Sequence, residues 1–314
     1  MMEPIFPRPN YLASIWGGTR LAQMRGLGPQ PADKPIGISR EVCAYKKAEN
    51  MVEGGAYDGM SLRQLIDTHH PELMGDDDDR ELIRLAYMDP ISDLSIQVHP
   101  GQDYAVRVEN DREKSESWYI LECAPDAYVV AGTAITDKKV LRQAAQDGSL
   151  EQYIVKIPVH QGDSILIPAG MLHACGKNML ALEVGSFGGI TYRLYDYGRG
   201  RPLHLDKGFD VLDPALKAAI VPNAPHTRPA RGAVVRPTIR HRLFSTDVVD
   251  IADTWHQVKG NRYEVLTAVE GDAVIKAGGK SYELPYSRTV IMPACLREYD
   301  VQGDCRILLS RHPS

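Results

Sequence analysis

The chain has 314 residues, of which 43% are hydrophobic and 25% are charged, and its formal net charge at pH 7 is −5. These values are ordinary for a globular protein, and this length predicts about two domains. The negative balance argues against nucleic-acid binding, so an anionic ligand would need a local group of arginines and lysines. No apolar run approaches the roughly 20 residues of a membrane span, and residues 1–20 lack the pattern of a signal peptide.

The predicted elements begin with a short helix that Ser61 caps. The acidic run Asp76–Asp79 that follows is interpreted as a solvated loop. A second helix is predicted after Thr136 and ends near Gly148. Short strands between glycine, proline and aspartate predict a barrel or sandwich; they are Leu82–Met88, Leu94–His99, Glu116–Cys123, Ala127–Ala131, Ser164–Ile167, Leu180–Val184 and Thr191–Tyr195.

Residues 221–237 contain four prolines and three arginines without apolar periodicity, a composition typical of a linker. We therefore predict a larger domain over residues 1–220 that carries the catalytic site, a linker over 221–237, and a smaller β domain over 238–314. The strands predicted beyond the linker are Tyr263–Val269, Ala273–Ala277, Tyr282–Leu284, Thr289–Met292 and Cys305–Leu309.

The most informative motif is the segment Gly162–His173. A glycine turn leads into the apolar strand Ser164–Ile167, Pro168 stops the strand, and Gly170 precedes His173 at a fixed offset. The spacing G-x5-P-x-G-x2-H is the second sequence motif of the cupin barrels. We therefore predict an all-β dominated fold, a double-stranded β-helix (cupin or jelly-roll) barrel with short helices.

Residues 290–298 look like an altered copy of this motif. The apolar strand and its proline, Pro293, are retained, but Cys295 stands at the glycine position and Glu298 at the histidine position. We therefore expect the C-terminal domain to be a smaller, degenerate cupin-like unit without metal.

Residues 94–100 alternate strictly between apolar and polar side chains. Because strand side chains repeat every two residues, the leucine, isoleucine and valine share one face, while Gln97 and His99 share the other. The apolar face must pack on a core. The polar face is either solvated or turned into a polar pocket, and alternation alone does not choose.

The same alternation places Glu116 beside Lys114 on one face of the next strand. His99, Glu116 and His173, from three strands, would form a facial set of two histidines and one carboxylate. This set suits Zn(II), Fe(II) or Mn(II), and Gln97 could add a weaker oxygen ligand. Open coordination positions predict a catalytic site rather than a structural one.

Two further candidates lie downstream of these ligands. Glu183, within a predicted strand, is either paired inside the barrel or a proton-transfer group. Arg193 is a fixed cation suited to stabilising an oxyanion if it faces inward, and a solvated arginine if it faces outward. The sequence does not decide between the two alternatives for Glu183 or between those for Arg193.

Over most of its length the chain resembles the class I mannose-6-phosphate isomerases, specifically the short bacterial type. The segments that carry the resemblance are Ser14–Leu21, Leu94–Pro100, Lys114–Tyr119, Pro168–His173, Thr191–Arg199 and Val269–Ala294. The resemblance implies a zinc-dependent aldose–ketose isomerase of carbohydrate metabolism. Such an enzyme interconverts mannose 6-phosphate and fructose 6-phosphate by proton transfer through an enediol.

The resemblance also implies one Zn²⁺ per chain on His99, Glu116 and His173, with Gln97 as an additional ligand in longer relatives. It places the active-site arginine at Arg193.

The isomerisation needs a general base with a pKa near working pH. Glu183 and Lys114 are the candidates for that role. The phosphate needs fixed cations, for which Arg20, Lys114 and Arg193 are the candidates.

The chain departs from the family pattern at two places. It reads Gly37-Ile38-Ser39-Arg40-Glu41 where the family usually has Gly-Glu-Ser-Trp-Glu. It reads Glu183-Val184-Gly185-Ser186 where the family usually has Glu-Ile-Gln-Gln, so two glutamines near the pocket are replaced by small residues. These replacements bear on which hexose phosphate is bound.

Two other functions use the same residues. One is an Fe(II) cupin oxygenase, since two histidines and a carboxylate are also the ligands of that chemistry. The other is a non-catalytic regulator that binds a sugar phosphate. The five scattered cysteines form no C-x2-C pair, so we expect reduced thiols and a cytoplasmic protein. We expect a monomer or homodimer whose partner is a small sugar phosphate, not nucleic acid or a membrane.

Overall fold

The computed structural model describes residues 2–31, 33–45, 48–77, 82–223 and 229–313. Within these ranges β-structure dominates, as predicted. The elements of the first half are the strands β1 Asn10–Ala13, β2 Ile36–Val42, β3 Arg84–Met88, β4 Ile96–Val98, β5 Glu116–Cys123, β6 Tyr128–Thr133 and β7 Ile154–Pro158, and the helices α1 Arg20–Met24, α2 Leu62–Leu73, α3 Gln102–Glu109 and α4 Lys138–Asp147.

The second half is built mainly of strands, several of them much longer. Its elements are β8 Ser164–Ile167, β9 His173–Cys175, β10 Met179–Gly185, β11 Tyr192–Tyr195, the helix α5 Leu205–Val211, β12 Ala219–Val221, β13 Gly232–Arg240, β14 Ser245–Val258, β15 Glu264–Glu270, β16 Ala273–Ala277, β17 Lys280–Leu284, β18 Thr289–Met292 and β19 Glu298–Arg311. None of the helices in the described ranges has the length and apolar content needed to cross a lipid bilayer.

The chain divides into two units whose boundaries fall inside β1, β2 and β3. We call residues 12–38 and 87–223 the central unit, and residues 1–11, 39–86 and 224–314 the terminal unit. This division differs from the predicted domains 1–220 and 238–314, because two N-terminal segments group with the C-terminal part. One physical reason is main-chain pairing: Ile5 exchanges hydrogen bonds of 2.9 and 2.8 Å with Ile291 at β18.

The predicted linker 221–237 is partly strand. Residues 224–228 lie outside the described residues, but residues 232–237 belong to β13. Pro237 is tolerated because β13 is the edge strand of its sheet and its register with β14 shifts next to the proline.

The terminal unit is built on one antiparallel sheet with the strand order β13-β14-β19-β15-β18. β14 and β19 pair along their full 14-residue lengths, and the β16–β17 hairpin joins the sheet through β19. One face of the sheet carries a core that includes Val249, Leu266 and Ile307. The sequence predicted only the fragment Cys305–Leu309 of β19 and no part of β14.

Helix α2 of the terminal unit begins as the sequence predicts. Ser61 and Gln64 form a reciprocal capping box. The acidic run that follows is not simply a solvated loop, because Asp77 is buried and pairs with Arg262 at 2.6 Å. Asp78 and Asp79 lie outside the described residues.

The central unit contains two sheets that share a core. One has neighbouring strands in the order β10-β5-β8-β12, and the other has the order β11-β4-β9-β6-β7. Side chains such as Trp118 and Ile165 from the first sheet pack with Val129 and Cys175 from the second. Helices α4 and α5 cover the outer face of the second sheet, and Asp137, not Thr136, caps α4.

Candidate metal centre

The predicted ligands converge because the two sheets of the central unit face each other. Ile96 and Val98 pack against the helices on the outer side. Gln97 and His99 therefore point to the inner side, which settles the choice that alternation left open. Gln97 pairs with His173 at the start of β9, and Glu116 begins β5 in the other sheet.

The turn between β8 and β9 brings the two histidines together. Gly162 and Gly170, which lie on either side of β8, have φ values of 88° and 86°, which favour glycine. The Gly170 N–H donates a hydrogen bond of 2.9 Å to the His99 carbonyl. The motif thus joins the loop before His173 to the strand end that carries His99.

The three ligand side chains are at most 1% exposed, and their ligand atoms lie within 4.8 Å of one another. His99 Nε2 is 3.2 Å from Glu116 Oε2, and His173 Nε2 is 3.4 Å from Glu116 Oε1. Two ligand atoms that each lie about 2.1 Å from a tetrahedral zinc are about 3.4 Å apart. The spacing therefore fits a single transition-metal ion.

Main-chain carbonyls orient both imidazoles. His99 Nδ1 is 2.9 Å from Ile190 O, and His173 Nδ1 is 2.9 Å from Met171 O. A carbonyl accepts but does not donate, so each Nδ1 carries a proton and each neutral ring presents a lone pair at Nε2. Histidine ligands of metals are commonly fixed in this way.

Electrostatics in the site favour a cation over additional protons. Burial, followed by the charge of Lys114, lowers the pKa of His99 to about 3, and burial also lowers the pKa of His173. Burial would raise the pKa of Glu116, but the charge of Lys114, together with the adjacent imidazoles, outweighs burial and holds the pKa well below 4.5. Two Nε2 lone pairs thus face an ionised carboxylate, an arrangement that a bound cation stabilises.

Two neighbours complete the immediate surroundings of this group. The Gln97 amide nitrogen is 3.3 Å from His173 Nε2, and rotation of the amide by half a turn would present its oxygen there instead. The Trp118 ring lies edge-on to the His173 ring, with centroids 5.8 Å apart. The indole limits the freedom of the ligand ring.

Lys114 and Glu183 lie next to the three candidate ligands. The Lys114 ammonium is 2.7 Å from Glu116 Oε2 and 3.6 Å from Glu183 Oε1. Glu183 pairs with Trp118 on β5 and shares the inward face of its sheet. With 14% of its side chain exposed, Glu183 is reachable from solvent, whereas Glu116 is not.

The two small residues after Val184 have different positions. Gly185 pairs with Glu116, and a Cβ built there would lie 3.7 Å from Glu116 Cβ and 3.8 Å from Glu183 Oε1, which are ordinary contacts. An alanine at this position would therefore fit beside the two glutamates without a clash. Ser186 is buried and is bonded to Ser115 N–H and to the Glu113 carbonyl, which supports the start of β5.

Arg193 lies on β11 as the cross-strand partner of Gln97. Its neighbours Tyr192 and Leu194 pack in the outer core, so Arg193 faces the side of the metal ligands. One guanidinium nitrogen donates to Pro202 O at 2.8 Å, while Nε is buried without a hydrogen-bond partner among the described residues.

Arg20 is not brought to this site. It begins α1, where its charge acts on Asp89 and on Cys123. Cys123 ends β5 and Glu116 begins it, so these two residues are about 23 Å apart. The position of Arg20 therefore gives no support to the prediction that it binds the phosphate.

The altered copy of the motif in the terminal unit keeps the local geometry. β18 ends before Pro293 as β8 ends before Pro168, and Glu298 begins β19 as His173 begins β9. Glu298 is exposed, whereas His173 is buried.

Comparisons with known proteins agree with this arrangement. The cupin-domain model of mannose-6-phosphate isomerase matches residues 238–312. Two Bacillus subtilis proteins are similar over nearly the whole chain: mannose-6-phosphate isomerase ManA, 29% identical over 98% of both chains, and probable mannose-6-phosphate isomerase GmuF, 30% identical over 100% of both. The crystal structure of the mannose 6-phosphate isomerase from Bacillus subtilis superposes with a TM-score of 0.85 at 27% identity and covers 99% of this chain and 100% of that one. The chain belongs to the class I mannose-6-phosphate isomerase family.

Proposed function

We propose that the protein is a zinc-dependent isomerase that interconverts mannose 6-phosphate and fructose 6-phosphate. The observation that carries the proposal is the buried group of His99, Glu116 and His173 with Lys114 and Glu183 beside it. Full-length similarity to proteins named for this reaction supports the choice of substrate.

The donor set supports zinc as the metal, one ion per chain. Two neutral imidazoles and one carboxylate with open positions are typical of catalytic zinc sites. Bound zinc would stabilise negative charge as it develops on the sugar oxygens. Gln97 is placed to contribute an amide oxygen to the same ion.

Glu183 is the better candidate for the general base, because an ionised carboxylate accepts a proton and an ammonium does not. It would take the proton from C2 of the aldose and return it to C1, while the O2 hydroxyl proton ends on O1. The reaction then needs no external oxidant or reductant. Lys114, 3.6 Å away, would stabilise the carboxylate and donate to a sugar oxygen.

The fixed cation Arg193 would stabilise the oxyanion from the opposite sheet. We also propose a cytoplasmic location and a monomer or homodimer as the functional form.

The test is a coupled assay of zinc-loaded protein with mannose 6-phosphate. We expect turnover that a chelator abolishes and that Glu116→Ala removes together with the bound metal. Glu122→Ala is the matched control, because Glu122 is an exposed glutamate on the same strand. Metal-replete protein without turnover on any hexose 6-phosphate would overturn the proposal. Ligand binding without turnover would then indicate a regulator, and oxygen uptake with bound iron would indicate an oxygenase.

A further inference from the structure

A buried cluster of hydrogen-bonding side chains joins the chain segments that carry the metal centre. Its members are Glu113, Ser115 and Ser186, which are 6%, 0% and 4% exposed. We call them the serine–glutamate cluster. Glu113 and Ser115 flank Lys114 in the chain, and Ser186 follows Glu183 by three positions. The cluster therefore lies directly beside the segments of both residues.

The Glu113 carboxylate ties the segment before β5 to the segment after His99. Its Oε2 accepts a hydrogen bond of 3.2 Å from the Gln102 N–H, and the Gln102 side-chain oxygen accepts one of 3.0 Å from the Glu113 N–H. Its Oε1 accepts from the Ser115 hydroxyl at 2.9 Å. Because Gln102 follows His99 by three residues, this reciprocal pair fixes the strand end that carries His99 against the start of β5.

The Ser115 hydroxyl extends the cluster to the turn before His173. Its oxygen accepts a hydrogen bond of 2.9 Å from the Ala169 N–H, while its proton is donated to Glu113. A hydroxyl can donate once and accept at the same time, so one side chain serves both neighbours. The turn that leads to His173 is thereby attached to the start of β5.

Ser186 attaches the segment that follows Glu183. Its hydroxyl donates to the Glu113 carbonyl at 2.8 Å and accepts from the Ser115 N–H at 3.0 Å. Its own N–H donates to the Ser115 carbonyl at 2.9 Å. These three bonds hold the end of β10 against the residues that precede β5.

The same segment continues to the acceptor that orients His99. Gly188 lies so close to the residues before β5 that an added Cβ would be 2.3 Å from the carbonyl oxygens of Arg112 and Glu113. Two residues later, the Ile190 carbonyl lies 2.9 Å from His99 Nδ1. The orientation of the His99 ring thus depends on how this segment is held.

We propose that the serine–glutamate cluster is a positioning network that makes His99, Glu116 and His173 converge on one metal ion. Groups that orient metal ligands typically change metal affinity by about 10- to 100-fold when they are lost. Glu113 acts through its hydrogen-bond partners and is a positioning residue. The identity of the ion as zinc and the isomerase activity used in the first experiment rest on the proposed function.

The experiment compares the parent with Glu113→Gln, a change that keeps the shape and leaves one acceptor oxygen where the carboxylate has two. We expect zinc affinity, measured by competition with a chelator, to fall by about 10-fold or more. The visible absorption spectrum of the Co²⁺-substituted protein should change as well, because it reports coordination geometry. At saturating zinc, kcat should fall more than KM rises. Ser115→Ala, which removes the bridge to Ala169, should act in the same direction.

Asp163→Asn is the matched control for Glu113→Gln. Asp163 is 4% exposed, and its two oxygens accept hydrogen bonds of 2.8 and 2.9 Å from the N–H groups of His160 and Asn223. It precedes β8, at the opposite end of that strand from the residue that pairs with Glu116. It should lose stability but bind zinc like the parent and keep the parent Co²⁺ spectrum.

The outcome that overturns the proposal is parent-like zinc affinity with a parent-like Co²⁺ spectrum in both Glu113→Gln and Ser115→Ala. That result would exclude the positioning role even in an active isomerase. A loss of zinc affinity in Asp163→Asn equal to that in Glu113→Gln would also overturn it, because the effect would then follow stability alone.

A second arm needs neither zinc nor turnover. Hydrogen–deuterium exchange of the metal-free protein reports local opening of each segment. Glu113→Gln should speed amide exchange in residues 99–102 and 186–190 by about 10-fold or more, and Asp163→Asn should leave both segments like the parent. If the parent binds no zinc, this arm alone decides: faster exchange in the two segments supports the network, and unchanged exchange there overturns it.

Discussion

The two glutamates that flank Lys114 differ in their surroundings, and this difference separates their roles. Glu116 is enclosed by two imidazoles and an ammonium and is 1% exposed, so its oxygens are placed to bind a metal ion rather than to contact substrate. Glu183 lies one strand away with 14% of its side chain exposed. A substrate that enters from solvent can reach Glu183 without displacing a metal ligand.

For Glu183→Gln we expect kcat to fall by about 10²- to 10⁴-fold, because the amide cannot accept the C2 proton. Bound zinc, measured by elemental analysis, should stay at the parent level. Glu122→Gln on β5 should retain full kcat. A Glu183→Gln enzyme within about threefold of the parent kcat would show that the base lies elsewhere.

Lys259 in the terminal unit is a largely buried lysine whose effect on the free energy of unfolding depends on pH. Its ammonium donates to the carbonyls of Arg262, Pro293 and Ala294, and burial lowers its pKa to about 8. Between pH 8 and 10.5 the unfolded chain holds more protons on this lysine than the folded chain does. The contribution of Lys259 to the free energy of unfolding therefore rises with pH across that window.

Lys259→Met should remove this rising contribution, on the order of 1 kcal/mol after allowing for solvent screening of the partly exposed group. Urea denaturation at pH 8 and pH 10 measures it as a difference between variant and parent. Lys276→Met, at an exposed position, should keep the parent slope. The idea fails if the Lys259→Met slope equals that of the parent.

On the scale of elements, we expect the backbone conformation of the turn between β8 and β9 to affect metal binding. Gly170 has φ near 86°, and its N–H bonds to the His99 carbonyl. A side chain there is strained in the left-handed region and also meets Val211 O at 3.3 Å. Strain in this turn would therefore shift both His99 and His173, the two candidate histidine ligands.

Gly170→Ala should cost about 1–2 kcal/mol of stability and should also weaken zinc binding. Gly148→Ala is the control, since Gly148 ends α4 with φ of 83° and has nothing within 4 Å of an added Cβ. Both variants should lose similar stability in denaturant titrations, and competition with a chelator should show weaker zinc binding for Gly170→Ala alone. Equal zinc affinity in the two variants would contradict the proposed link.

Short strands bounded by turn residues were predictable from the sequence, and the two 14-residue strands were not. β5, β8, β16 and β18 have the predicted bounds, since each is a short run between turn residues. β14 escaped prediction because alternation fails when both faces of a strand are buried, as around Val248 and Asp250. α3 lacks a strong apolar stripe, with Ala105 as its buried residue.

The site shows the same limit. His99, Glu116 and His173 were predicted from the motif spacing and from strand alternation, and the structure brings the three side chains together. The ion pair of Arg201 with the buried Asp196 was not predicted, because Arg201 lies on no strand and reaches Asp196 from an irregular segment. Four acidic or basic residues within nine positions were the available signal.

On the scale of the whole molecule, one of two related motifs carries a candidate metal ligand, His173, and the other has the exposed Glu298 at that position. Zinc should therefore bind with a stoichiometry of one per chain and raise the free energy of unfolding by about 2.7 kcal/mol at a concentration of 100 times Kd. Glu116→Gln should abolish this increase. Glu298→Gln, at the position that corresponds to His173 in the second motif, should leave both stoichiometry and increase unchanged. Thermal melts with and without zinc measure the effect, and two zinc ions per chain would refute the assignment.

The acceptors that orient the two imidazoles, Ile190 O and Met171 O, belong to the main chain. Replacing the isoleucine or the methionine by another apolar residue preserves both acceptors. The orientation of the two imidazoles is therefore insensitive to apolar substitutions at these two positions. Substitutions at positions such as Gly185 can therefore change the sugar specificity of such a protein while the orientation of both imidazoles is kept.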